Sequence, residues 1–256
     1  MYSVYNNVVS TKSFKVILLG NSGVGKSSLL NKLLTDEFDE NSPATIGVAY
    51  GNFLIKHKEQ KPIGIKEKVH KLERDVSLGI WDTAGNEKYK SLTNMYYRGV
   101  HLAVIVFDIS SVSSLWKSLT YIREYMDHSN NENIYLVGNK SDVKLHTKLS
   151  PGSVKETIDK FKKINEIPIE YFEMSVKLNQ VKRFSPGISI NSSHFKSNIS
   201  EDFTIKEFFG LIGFHLDTVY TGDSDLPETN PIIRLNKTDS SGYTTIIDSD
   251  KKSNCC

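Results

Sequence analysis

Cysteine is nearly absent from this chain of 256 residues: Cys255 and Cys256 are the only two, and they are adjacent. No disulfide can therefore staple the fold, as expected of a protein kept in the reducing cytosol. Charge of one sign is lacking too, since 32 Lys and Arg stand against 30 Asp and Glu for a formal net charge of +2. That balance gives no global attraction to polyanions, and no basic stripe or recognition module makes up for it, so nucleic acid is not an expected partner. Long apolar runs are missing as well. The N-terminal MYSVYNNVVSTKSF has none of the length a signal peptide needs, and nothing approaches the ~20 apolar residues of a membrane span. Any membrane contact is thus expected to come from outside the folded core. What is left has the length and composition of one soluble domain with appendages.

Short apolar runs carry the fold signal. FKVILLG (14 to 20), the stretch around 102 to 107 and IYLVG (134 to 138) read as buried strands. SSLLNKLL, 112 to 127 and 151 to 165 have helical spacing. Strands alternating with helices predict an α/β fold with a mainly parallel sheet covered by helices on both faces. In DVSLGIW the apolar residues Val76, Leu78 and Ile80 alternate, which predicts a strand near a sheet edge with one face less deeply buried.

Three segments break the rhythm. Residues 56 to 75 carry seven Lys/Arg and four Asp/Glu and read as a long, solvated hairpin insertion. Residues 178 to 203, rich in Ser and Asn, read as an inserted loop of disordered composition. Thr204 to Glu207 then matches a capping box, with Phe203 and Phe208 spaced as a hydrophobic staple, so a last helix should start there and turn Phe208, Leu211 and Ile212 inward. The expected organisation is an N-terminal extension (1–12), a domain (13–217) and a flexible tail (218–256).

The chemistry lies in two spaced motifs. Gly20, Asn21, Ser22, Gly23, Val24, Gly25, Lys26 and Ser27 fit the P-loop pattern between a strand and a helix that continues with Ser28. Backbone N–H groups there can wrap phosphate oxygens at a helix N-terminus, Lys26 can reach the outer phosphates, and the Ser27 hydroxyl can bind Mg²⁺. Asn139, Lys140 and Asp142 follow the strand IYLVG. A carboxylate at Asp142 can accept from the ring N–H and exocyclic amine of guanine, a donor pair that adenine lacks. Asn139 would brace the base loop, the Lys140 stem would cover the base, and Ser175, Val176 and Lys177 would supply a backbone N–H to the guanine oxygen. Between the motifs, Thr45 can offer its hydroxyl to the metal and its N–H to the third phosphate. Asp82 can hold the metal through water, and the Gly85 N–H can meet the same phosphate; both segments would relax when that phosphate leaves.

These residues resemble the small GTPases of the Ras superfamily, and within it the Rabs, over about 14 to 177 and, with the last helix, to about 217. The Rab-like features are Ile46-Gly47-Val48, Ile80 to Gly85, Tyr96 to Gly99 and the terminal Cys255-Cys256. The resemblance implies a P-loop GTPase fold, with a mostly parallel, six-stranded sheet and one antiparallel edge strand, that binds GTP or GDP with Mg²⁺, and catalysis by Lys26, Thr45, Gly85 and the residue at position 86. It implies Phe38 packing on the guanine edge and an effector-facing surface of Ile46, Gly47, Tyr50, Trp81 and Tyr96. It also implies an exchange factor, an activating protein, effectors and a dissociation inhibitor or escort. Since Ser253 stands where a C-a-a-X box needs cysteine, the implied anchor is geranylgeranylation of Cys255 and Cys256 by the escort-dependent transferase. Two chains give stable attachment where one gives marginal binding. The expected place is the cytoplasmic face of an intracellular membrane, with a cytosolic pool.

Five departures qualify the resemblance: the two insertions, Val176 for the commoner alanine, Ser42 where relatives often carry an aromatic lid, and Asn86 where they carry the water-orienting glutamine. Asn86 is shorter than glutamine by one methylene, about 1.5 Å, and a ~1 Å misplacement can cost about a hundredfold in a positioned reaction. Intrinsic hydrolysis is expected to be very slow. Two alternatives stay open on sequence alone. One is a GTP-binding interaction protein with little hydrolysis, which Asn86 favours; the other is an ATP-using P-loop enzyme, which Asn139, Lys140 and Asp142 disfavour.

Overall fold

A computed structural model describes residues 11–56, 75–85, 95–129, 131–143, 151–183, 202–220 and 244–245. The backbone forms one sheet from β1 (Thr11–Leu19), β2 (Val48–Ile55), β3 (Asp75–Thr83), β4 (Leu102–Asp108), β5 (Ile134–Asn139), β6 (Ile169–Ser175), β7 (Gln180–Arg183), β8 (Asp202–Phe203) and β9 (Thr244–Thr245). Their order is β8-β7-β6-β5-β4-β1-β3-β2-β9. From β3 through β1, β4 and β5 to β6 every pairing is parallel, and β2 joins β3 antiparallel. That six-stranded centre is the sheet expected from sequence, lengthened by β7 and β8 at one end and β9 at the other.

The strands read as continuous apolar runs because both their faces are covered. On one face, Leu29, Leu30 and Leu33 of α1 (Lys26–Thr35) and Phe208, Phe209 and Ile212 of α4 (Ile205–Val219) pack on Val16, Leu18, Val104 and Val137. On the other, Leu115, Leu119 and Ile122 of α2 (Val112–His128) and Val154 and Ile158 of α3 (Pro151–Asn165) pack on Ile17, Leu19, Ile105 and Leu136. α4 begins as expected: Thr204 accepts from the Glu207 N–H, and the Glu207 carboxylate accepts from the Thr204 N–H at 2.7 Å, closing a capping box. Phe203 and Phe208 both pack edge-on against Phe172, and Leu211 is partly buried beside that core.

Three expectations are corrected. β3 has no less deeply buried face: it stands near the sheet edge as expected, between β1 and β2, but is buried along nearly its whole length, Val76, Leu78 and Ile80 facing the α1/α4 core while Tyr50 lies against Gly79. Residues 178 to 203 are not all loop, because their ends form β7 and β8; Val181 and Phe203, paired across them, are buried in the α1/α4 core. Nor is the whole of 218 to 256 a free tail: α4 runs to Val219, and Thr244 and Thr245 pair with Tyr50 and Ala49. The insertion between β2 and β3 lies outside the described residues except at its ends, and the pairing of Ile55 with Val76 is that of a hairpin. No helix among the described residues is long and apolar enough to cross a membrane.

Candidate functional site

The loops that follow β1, β3, β5 and β6 leave the sheet at one end, outside the C-terminal ends of parallel strands, where open α/β sheets bind ligands. The first is the turn from Gly20 to Gly25, leading into α1. No side chain caps α1 and no acidic residue sits in its first turn, so its N-terminal N–H groups and dipole are open to an anion. Gly25 has φ of 96°, and a Cβ there would lie 2.4 Å from Asn139 Nδ2. Gly85 is closed to a side chain as well, since its Cβ would lie 2.3 Å from the backbone of Asn21 and Ser22. The Ser22 N–H donates to the Gly85 carbonyl at 3.0 Å, which joins the phosphate loop to the loop after β3.

Lys26 is buried and donates to the carbonyls of Gly20 at 2.8 Å and Asn21 at 2.9 Å. Burial lowers its pKa to about 8, against the opposing pull of Asp82. A desolvated ammonium at a helix N-terminus is a strong point of attraction for phosphate.

Ser27, Thr45 and Asp82 converge although 55 residues separate the first from the last. Ser27 Oγ donates to Asp82 Oδ2 at 2.5 Å, Thr45 Oγ1 donates to the same oxygen at 3.3 Å, and the two hydroxyls bond each other. Asp82 is fully buried and its Oδ1 has no partner among the described residues. Burial raises its pKa, with bonds from Ser27 and Thr45 and the charge of Lys26 working the other way. Two hydroxyls and an incompletely satisfied buried carboxylate fit Mg²⁺, which takes few protein ligands and completes its shell with water and phosphate oxygens. Among the described residues no group of three or more His, Cys, Asp or Glu could hold a metal, so a protein-only cage is not built here.

On the base side, Asn139 is 2% exposed; its Nδ2 donates to the Val24 carbonyl at 2.8 Å and its Oδ1 accepts from the Val176 N–H at 3.3 Å. One amide thus joins three loops. Asp142 Oδ1 accepts from Ser175 Oγ at 2.6 Å, and that hydroxyl also receives the Leu178 N–H at 3.0 Å. Lys140 has φ of 66°, and its Nζ lies 2.9 Å from Asp108 Oδ2. Burial works to raise the Asp108 carboxyl, but bonds from Ser110 and the Lys140 ammonium outweigh it and hold the pKa below the usual range. Phe38 packs partly buried on the α1/α4 core.

The aromatics read as effector-facing form one row. Tyr50 and Trp81 meet edge-on with ring centres 5.3 Å apart, Trp81 and Tyr96 are tilted to each other at 5.6 Å, and Lys15 Nζ sits 4.9 Å from the Trp81 ring centre. Ile46 is 76% exposed beside Gly47, whose carbonyl accepts the Ala84 N–H at 2.9 Å. Asn86, Cys255 and Cys256 lie outside the described residues. Sequence reasoning missed Asp108 and Glu40. Asp108, the last residue of β4, occupies the strand end where sites collect and was findable on that ground. Glu40, an exposed acid in a polar loop that bonds Lys177, carried no signal.

A family model described as the Ras family matches residues 15–184. Among curated proteins, GTP-binding protein YPT52 of Saccharomyces cerevisiae is 41% identical over 132 residues, covering 51% of this chain and 54% of its own. Ras-related protein RABA1c of Arabidopsis thaliana is 39% identical over 132 residues, with 51% and 55% covered. Ras-related protein rab-11.1 of Caenorhabditis elegans is also 39% identical over 132 residues, with 51% and 56% covered. The chain spans about half the length of the curated relatives it matches. The family match runs from within β1 to the end of β7 and takes in every loop described above: the chain belongs to the Ras family and is Rab-like within it.

Proposed function

We propose that this chain is a Rab-type switch that binds GTP and GDP with Mg²⁺, hydrolyses GTP slowly, and in the GTP state recruits effectors on intracellular membranes. The observation that carries this reading is the meeting of Ser27, Thr45 and Asp82 beside an uncapped helix N-terminus, with Asn139 joining that phosphate end to Asp142 and Ser175. Asp142 would accept from the two guanine donors while Ser175 holds its carboxylate in place. The P-loop N–H groups and Lys26 would take the phosphate charge, which for phosphoryl transfer is most of what the protein must do beyond positioning. Mg²⁺, held by Ser27, Thr45 and Asp82, would neutralise charge on the outer phosphates. Asn86 would orient the attacking water less well than glutamine, which makes hydrolysis slow. Lipid on Cys255 and Cys256 would supply the membrane attachment, with Ile46, Gly47, Tyr50, Trp81 and Tyr96 facing effectors. Exchange factors, activating proteins, an escort or dissociation inhibitor, and the geranylgeranyl transferase are the partners this cycle needs.

The test is competition against a fluorescent GDP analogue bound to the full chain with Mg²⁺. GDP and GTP should displace it while ATP does not; equal displacement by ATP would end the reading. A second reading, a GTP-binding interaction protein that stays loaded, is favoured by Asn86. Measurable nucleotide release together with hydrolysis accelerated by a Rab-directed activating protein speaks for the switch, and their absence for the second reading.

A further inference from the structure

The segment from Asp36 to Gly47 joins α1 to β2 and is held at both ends. Asp36 closes α1 through its N–H to the Lys32 carbonyl at 3.0 Å, and Phe38 leans on the core. At the other end Thr45 meets Ser27 and Asp82, and the Gly47 carbonyl takes the Ala84 N–H. The middle has mostly local bonds: the Asn41 N–H to Asp39 Oδ1 at 2.9 Å and Ser42 Oγ to the Asp39 carbonyl at 3.1 Å. Residues 39 to 44 are exposed, and Ser42 brings no aromatic ring to close over a ligand. One described bond crosses from this middle to the far wall of the site: the Glu40 carboxylate receives Lys177 Nζ, 137 residues away in sequence.

The Lys177 end is firm. Its turn is fixed by Ser175 on Asp142, by the Leu178 N–H on Ser175 at 3.0 Å, by the Asn179 N–H on the Val176 carbonyl at 3.4 Å and by the Val176 N–H on Asn139. A weakly anchored loop is thus tied to a rigid turn on the base side. We propose that Glu40 and Lys177 form a clasp that holds this loop across the mouth of the nucleotide pocket and slows release of the diphosphate and the triphosphate alike. The clasp rests on the reading of the site as a guanine-nucleotide pocket. It acts on both nucleotides because neither residue belongs to the Thr45 end, which is where the third phosphate would be sensed. The Lys177 ammonium is held above its usual pKa, first by the bond from Glu40 and with help from the charge of Asp142. Both side chains are more than half exposed, so the pair is a modest, salt-screened tether and not a lock.

The experiment loads the full chain with fluorescent GDP or a non-hydrolysable GTP analogue and chases with excess unlabelled GDP. Glu40→Gln and Lys177→Met should each speed release of both nucleotides by about two- to fivefold at low salt. The double variant should be no faster than the singles, the charge swap Glu40→Lys with Lys177→Glu should return toward wild type, and 1 M salt should bring wild type close to the singles. Wild-type release rates in both single variants would overturn the clasp, as would a double variant whose effect is the product of the two. If wild type itself fails to load guanine nucleotide, the pocket reading fails and the clasp falls with it.

Discussion

The Asn139 side chain donates to the Val24 carbonyl at 2.8 Å, bonding the base loop to the phosphate loop across 115 residues. Its other arm takes the Val176 N–H. Asn139→Ala leaves a buried carbonyl and an N–H without partners, at roughly 1–3 kcal/mol for each group so orphaned. The expected outcome is a loss on the order of 2 kcal/mol in urea unfolding and weaker binding of GDP and GTP together, because both loops lose their common brace. A variant that unfolds and binds like wild type would show that the loops hold themselves.

Asp142→Asn tests base selection. An amide can keep the Ser175 bond but cannot accept from both guanine donors, so GTP affinity should fall by up to ~10⁴, while xanthosine triphosphate gains relative to it. Competition binding reads both, and unchanged GTP affinity removes Asp142 from the pocket.

Asp82→Asn separates metal binding from folding. In the metal-free chain the carboxylate is buried with one oxygen lacking a described partner and with its pKa raised by burial, so a neutral amide should leave thermal stability equal or higher. The further stabilisation that Mg²⁺ gives the GDP-loaded protein should disappear. A Mg²⁺-dependent rise in Tm that survives in the variant would place the metal elsewhere. Ser27→Asn should likewise weaken magnesium-GTP binding.

Asn86→Gln should raise single-turnover hydrolysis ~10-fold or more without changing GTP affinity, because the residue acts on water and not on ground-state binding. With an activating protein that inserts its own glutamine, variant and wild type should converge. Wild type hydrolysing as fast as the variant unaided would mean that the shorter side chain is compensated.

His101 sets an acid limit to stability. Its Nδ1 accepts the Lys15 N–H at 2.9 Å between Phe14 and Tyr220, and burial lowers its pKa to about 4. Since the folded value lies below the ordinary 6.5, the contribution is full above pH 6.5 and is lost as pH falls toward 4. The loss is on the order of 3 kcal/mol. His101→Asn should flatten urea stability across this window. Burial also lowers His215, and its share should persist in the variant. An unchanged acid limb in His101→Asn would assign the loss to other groups.

The sequence by itself determined the elements whose chemistry is local. The phosphate loop and the Asn139–Asp142 turn were legible because a ligand of fixed shape demands given residue types at given spacings. The start of α4 was legible because a capping box closes within four residues, and β4 and β5 because strands covered on both faces must be largely apolar. Tertiary structure alone decided what joins residues far apart. The alternation in β3 suggested one face less deeply buried, yet the strand is buried along nearly its whole length, because period-two patterning records which side chains are apolar and not what covers the other face. The Ser- and Asn-rich stretch hid β7 and β8, whose pairing buries Val181 and Phe203 at its two ends. Asn139 with Val24, Lys140 with Asp108 and Glu40 with Lys177 are polar contacts in loops. Such contacts have no periodicity, and each exists only because the sheet brings the loops after its strands, and the α1–β2 segment beside them, to one end.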